Sequence, residues 1–341
     1  MDVAKPVRAV VEKGPNYIFH LMAVSGVGFQ NDYGERYRST ISTDDRVWLH
    51  AQRELLSFRD DRSGPLVIPA LFLPAYMNID TAEGFDEYFE RLAQGATEPS
   101  VFLDHYGPYL NRLGDQWLQA YDEDWVSMGR GLEETLSRLA KIFVRNYAQF
   151  SATVWATELP GMVAVADQVD AYFAQRDIVG DWERLTGVRW KASDYQIVLV
   201  AAIENGPRAN SLGYDRTVFY PYEDFNFMIN FISHETGTHI LIDVIKAFSY
   251  PDASRRAYLL SGGPETGYYD YGLVYRGYEN LCRFYNGLVL ETADLYDMSE
   301  DYRSDEFQGI YQRLHSHMPE MAPLEMLIRA VREIPDGWTA R

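Results

Sequence analysis

Between Phe225 and Ala247 the chain reads FNFMINFISHETGTHILIDVIKA. Apolar residues fill most of this stretch, yet its centre carries His234-Glu235-Thr236-Gly237-Thr238-His239. Burying two imidazoles and a carboxylate in an apolar helix is costly unless something satisfies them. A divalent metal would satisfy the imidazoles and leave Glu235 facing a metal-bound water. Zinc suits such ligands and keeps a fourth position open where it is catalytic. Any fold of this chain has to bring partners to this string.

The spacing sets a second condition. The common zinc helix places two His at i and i+4 on one face. Here they stand at i and i+5, and an undistorted helix turns them roughly 140° apart, at about 100° per residue. Sharing one metal would need an extra residue in the turn, as in a π-bulge, and such bulges often mark functional sites. Thr236-Gly237-Thr238 is the expected place, because Gly tolerates unusual backbone angles and Thr is a weak helix former.

The 341 residues allow two domains or one large one. A hydrophobic share of 47% and an aromatic share of 14% describe a folded chain. The net charge of −19 argues against nucleic-acid partners and against anionic membrane surfaces. It is compatible with a cationic substrate, although solubility is the simpler reason for it. One cysteine, Cys282, excludes an internal disulfide framework. The N-terminus lacks a continuous apolar region followed by a small-residue cleavage site. The expected location is therefore the cytoplasm, with a mature form already stripped of its signal as the alternative. No apolar run approaches the roughly 20 residues that span a bilayer.

Helical periodicity dominates the first half. Arg46–Phe58, a helix with Phe85, Tyr88, Phe89 and Leu92 on one face, Gly114–Met128 and Leu132–Phe150 are expected helices. Asp80-Thr81-Ala82-Glu83 resembles a capping box at the start of the second of these. Pro65–Met77 is a buried extended segment or helix end, broken by its prolines. Ser151–Thr157 reads as a strand and Met162–Ile178 as a helix. Tyr195–Ile203 is a β-branched apolar run expected as a buried strand. Asn205-Gly206-Pro207 marks a turn, and Tyr214–Tyr220 is a second strand, whose open edge an extended peptide could join. Tyr250-Pro251-Asp252 breaks the chain after the motif. Ser261–Tyr271 reads as a loop, and Tyr275–Leu295 as a long helix carrying Glu279. Helices at Asp305–His315 and Pro323–Ile334 close the chain. The expected organisation is a helical region over 1–150 and a catalytic region over 151–341. The expected fold class is α+β, mostly helical, with a small mixed sheet preceding the metal helix.

This order of strand, edge strand, motif helix and downstream Glu helix resembles the gluzincin metallopeptidases over roughly residues 190–295. The H-E-x-x-x-H spacing resembles the dipeptidyl peptidase III family. That family is much longer, and its downstream ligand sits in a Glu-Glu-x-x-x-Glu string, whereas here Tyr278-Glu279 is followed by Arg283. The resemblance therefore implies the broader class only. It implies a third metal ligand on the downstream helix, for which Glu279 is the match, ahead of Glu265 in the Gly-rich loop and Glu291 far along the same helix. His234, His239 and Glu279 would then hold zinc.

Glu235 would take a proton from the metal-bound water and return it to the leaving amine. Tyr268, Tyr269 and Tyr271, between the two ligand helices, are the candidates for stabilising the tetrahedral oxyanion. Asp243 is a candidate for orienting an imidazole from behind. The expected activity is zinc-dependent hydrolysis of a peptide or other amide-containing substrate. The alternatives are hydrolysis of a non-peptide amide or ester, or a non-catalytic binding protein retaining the fold.

Overall fold

A computed structural model describes residues 5–59, 62–117, 122–127, 129–204, 208–249, 256–260, 267–292, 302–335 and 338–340. The expected turn at Asn205-Gly206-Pro207, the break at Tyr250-Pro251-Asp252 and most of Ser261–Tyr271, including Glu265, lie outside these residues. The fold is α+β and mostly helical, with small sheets. It divides into two compact units. One comprises Val7–Tyr172 and Asp194–Pro221, and the other Met1–Pro6, Phe173–Ser193 and Tyr222–Arg341. The strands of the 195–219 region belong with the first unit.

That unit is built around helix Lys13–Ser25, which is buried along almost its whole length. Its one buried amide is satisfied at the sheet: Asn16 donates to the Leu199 carbonyl (2.8 Å) and accepts from Ala201 N–H (3.2 Å). Tyr17, fully buried, packs its ring against Phe85, Phe143, Tyr147 and Phe150. Helix Ala82–Gly95 starts where the sequence indicates, with the Thr81 hydroxyl accepting from Gly84 N–H at 3.0 Å. The segment from Ile68 to Tyr76 is helical and buried.

The four-stranded sheet runs in the order Val7–Val10, Tyr195–Leu199, Arg216–Phe219, Ala209–Gly213. The first two pairings are parallel and the last is antiparallel. Two expectations are corrected here. Arg216–Phe219 is paired on both sides, so it offers no open edge for strand addition. Ser151–Thr157 is not a strand: Phe150–Trp155 forms a π-helical turn that leads straight into helix Ala156–Phe173. Phe150 and Val154 point into the core from that turn, so helical continuity won over the β-branched content of the run.

The second unit contains the motif helix, Phe225–Ile240, and the glutamate helix, Tyr271–Leu290. Asp224 caps the first through Phe227 N–H (3.1 Å) and Asp270 caps the second through Leu273 N–H (2.7 Å). Helices Ile178–Thr186, Ser304–His317 and Pro323–Glu333 pack around them. An antiparallel sheet in the order Trp338–Ala340, Gly267–Asp270, Arg256–Leu259, Phe248–Ser249 completes the unit. The end of the expected loop Ser261–Tyr271 is therefore a strand. No helix among the described residues is long and apolar enough to cross a membrane.

Candidate functional site

Two hydrogen bonds set the register of the motif helix against the glutamate helix. Asn286 donates to the Asn230 carbonyl at 3.1 Å, and the Tyr278 hydroxyl donates to the Thr238 carbonyl. These ties lie eight residues apart on each helix, from 230 to 238 and from 286 back to 278, so the helices run antiparallel over about 12 Å. Between them Glu279 meets His234, with Nε2 3.4 Å from Oε2. His234 is buried and Glu279 is half-buried.

Glu235 stands next to this pair and is half-buried. Desolvation pushes its carboxyl up to about 7; the Glu279 charge adds to the rise and His234 opposes it. Tyr275 lies one helical turn before Glu279. The Glu279 charge, together with burial and a hydrogen bond to the same carboxylate, pushes its phenol well above the ordinary range. Tyr275 nonetheless keeps part of its surface exposed. Four side chains from two helices thus form one polar group: His234, Glu235, Glu279 and Tyr275.

His239 is not part of it. The motif helix is α-helical over Phe225–Ile240, and Leu241 N–H still bonds to the Gly237 carbonyl at 2.9 Å. The expected bulge is absent from this helix, and the five-residue spacing turns His239 about 140° from His234. Its ring is fully buried with its centroid 6.5 Å from that of Trp190. Among the described residues no three His, Cys, Asp or Glu side chains converge as a metal-holding group.

The local sequence has other reasons for its composition. Thr236 donates to the Ile232 carbonyl and Thr238 to the Glu235 carbonyl, both at 2.8 Å, so each hydroxyl is satisfied inside the helix. Gly237 faces the indole of Trp182, which an added Cβ would overlap. Glycine is needed there for close approach, not for backbone strain. Trp182 donates to Ser233 Oγ at 3.2 Å, which fixes the indole along the same face.

The other candidates separate. Tyr269 is buried, packs edge-on against Phe248 and accepts from Arg332 at 3.1 Å. Tyr268 packs edge-on against Tyr258 at 4.8 Å, and Tyr271 opens the glutamate helix. Tyr275, which is not among the three expected tyrosines, interacts with Glu279 directly. Its signal was available: it stands at i−4 from Glu279 on one helix face. Asp243 does not orient an imidazole; it is exposed and ion-paired with Lys191 at 2.6 Å.

No family model, curated protein or solved structure matches the chain. The site is therefore weighed on its own chemistry.

Proposed function

We propose that this chain is a hydrolase of peptide or related amide bonds, with Glu235 as its general base and zinc as the expected cofactor. The observation that carries the reading is the meeting of Glu235, His234 and Glu279 across two helices, with the Glu235 carboxyl raised to about 7. A carboxyl in that range is shared between its two protonation states at neutral pH. It can take a proton from a water and give it to a leaving amine, which is where general acid–base catalysis is most effective.

The fit to zinc is partial. His234 and Glu279 are a suitable imidazole–carboxylate pair, whereas His239 lies on another face of the helix. Zinc on that pair would supply an acidified water and polarise a carbonyl. The remaining tasks belong to the chain. Tyr275 hydrogen-bonds the Glu279 carboxylate and so fixes its position beside His234. The apolar surround of the motif helix limits water around Glu235, which keeps its carboxyl basic.

A second reading has its own support. His239, turned toward Trp190, suits a binding protein that has kept the motif helix without the chemistry. The discriminating experiment is hydrolysis of a mixed library of peptides, non-peptide amides and esters, with added zinc and with chelator. Wild-type turnover that falls by about 10²–10⁴ in Glu235→Gln supports the hydrolase. A library left intact under both conditions favours the binding protein, and turnover of esters or non-peptide amides alone changes the substrate class.

A further inference from the structure

We propose that Asp170 closes the open edge of the four-stranded sheet by standing in for a further strand, and that without its carboxylate Val7–Val10 pairs with the same strand of a second copy of this chain.

Three observations carry it. The first is the bond itself. Val7–Val10 is an outer strand, paired only with Tyr195–Leu199. The Ala9 N–H, which a further strand would otherwise take up, donates to Asp170 Oδ1 at 2.7 Å. That is the short end of the N–H···O range, as expected for an ionised acceptor. Arg8 and Asp170 are both exposed, so this margin of the sheet borders solvent. An exposed edge with unpaired backbone groups is a template for another chain.

The second is the place of Asp170 in its own helix. It stands in the last turn of Ala156–Phe173, where the helix dipole disfavours a carboxylate. Aspartate is also a weak helix former. The helix therefore gives no reason for this residue, whereas the sheet does. Val169 and Phe173, both buried, seat the turn and fix where the carboxylate stands.

The third is the opposite margin. The other outer strand, Ala209–Gly213, breaks register between Ser211 and Gly213. Gly213 has φ +147° and lies so close to the Tyr76 ring that a Cβ has no room. A bulged, covered edge does not accept a regular strand. Val7–Val10 is therefore the edge that a second copy can join. A two-fold pair uses the same patch on both copies, which sets the two strands antiparallel.

The test compares the full-length wild type with Asp170→Asn, Asp170→Ala and Asp170→Ser. Mass is read by light scattering across a concentration series, and the Ala9 amide by hydrogen exchange. Asparagine keeps an acceptor and loses the charge, so it should keep the wild-type mass and exchange Ala9 within about threefold of wild type. Alanine has no acceptor, so at low concentration Ala9 should exchange at least about tenfold faster than in wild type. At high concentration the mass should double relative to wild type and the Ala9 amide should become protected again. A wild-type mass for Asp170→Ala at every concentration overturns the proposal, as does unchanged Ala9 exchange. A doubled mass with Ala9 still exchanging fast places the contact elsewhere and overturns the strand pairing. If Asp170→Ala fails to fold, Asp170→Ser, whose hydroxyl is one bond too short to reach Ala9, decides by the same criteria.

Discussion

Trp182 covers Gly237 so closely that the glycine has no room for a Cβ. This contact opposes the usual rule that replacing a mid-helix glycine by alanine stabilises by about 1 kcal/mol. Overpacking a filled core costs about 1–3 kcal/mol, so the clash should win. Gly237→Ala is expected to lower stability by about 1–2 kcal/mol in urea denaturation. Gly237→Ala combined with Trp182→Leu should recover the propensity gain at Gly237 relative to Trp182→Leu alone. A stabilised single variant would mean that the indole moves aside.

Glu235 sets a pH dependence of stability in the metal-free chain. Its folded pKa of about 7 lies above the ordinary carboxyl value of 4.5. Between those values the folded state binds more protons than the unfolded one, so stability falls as pH rises through this window and stays reduced above it. Glu235→Gln should remove that slope. In chelator the variant should gain on wild type by on the order of 2 kcal/mol between pH 4.5 and pH 8. Parallel pH profiles for the two proteins would refute this.

His20 acts in the opposite direction. It is fully buried, near the Tyr33 hydroxyl (3.1 Å) and Thr40 Oγ1 (3.0 Å), and burial lowers its pKa from 6.5 to about 3. Its contribution, on the order of 4 kcal/mol, is present above about pH 6.5 and is lost as pH falls toward 3. His20→Gln should flatten the acid limb of the stability profile, whatever it does to absolute stability at pH 7. An acid limb of unchanged steepness would show that other groups control it.

Arg216 is a buried guanidinium on a central strand, paired with Glu12 and hydrogen-bonded to the Tyr76 carbonyl. Breaking one side of such a pair strands the other charge, at about 3–5 kcal/mol when it is fully buried. Glu12→Gln should therefore destabilise by about 2–3 kcal/mol, because Glu12 keeps some exposure. Arg216→Met with Glu12→Gln should cost less than Glu12→Gln alone. Equal costs would mean that the pair is solvated.

Much of the fold was legible. The Thr81 cap, the apolar stripe behind it, the β-branched run at Tyr195 and the long helix around Glu279 each announce themselves through residues within a turn or two. The π-helical turn at Phe150–Trp155 was not legible, because a short run with Val154 and Trp155 carries no signal separating strand from buried helix. The site divides along the same line. His234, Glu235 and Glu279 stand out by type and spacing, and His234 Nε2 lies 3.4 Å from Glu279 Oε2. The backbone between the histidines was misread, because the reason for Gly237 is an indole 55 positions earlier in the chain. The packing of Tyr269 against Phe248 is not written in the nearby sequence, whereas the place of Tyr275 one turn before Glu279 is.

Strand Val7–Val10 pairs in parallel with Tyr195–Leu199. During synthesis the first of these emerges long before the second exists. Val7 and its partner Tyr195 are 188 positions apart, so at about 5–20 residues per second the early strand waits on the order of 10–40 s for a mate. Throughout that interval Tyr195–Leu199, which in the finished sheet separates Val7–Val10 from the Arg216–Phe219 hairpin, cannot yet shield it. The helices of residues 13–172 can assemble in the meantime, but the sheet cannot. For this chain, yield in the cell should therefore depend on what guards Val7–Val10 while the ribosome works.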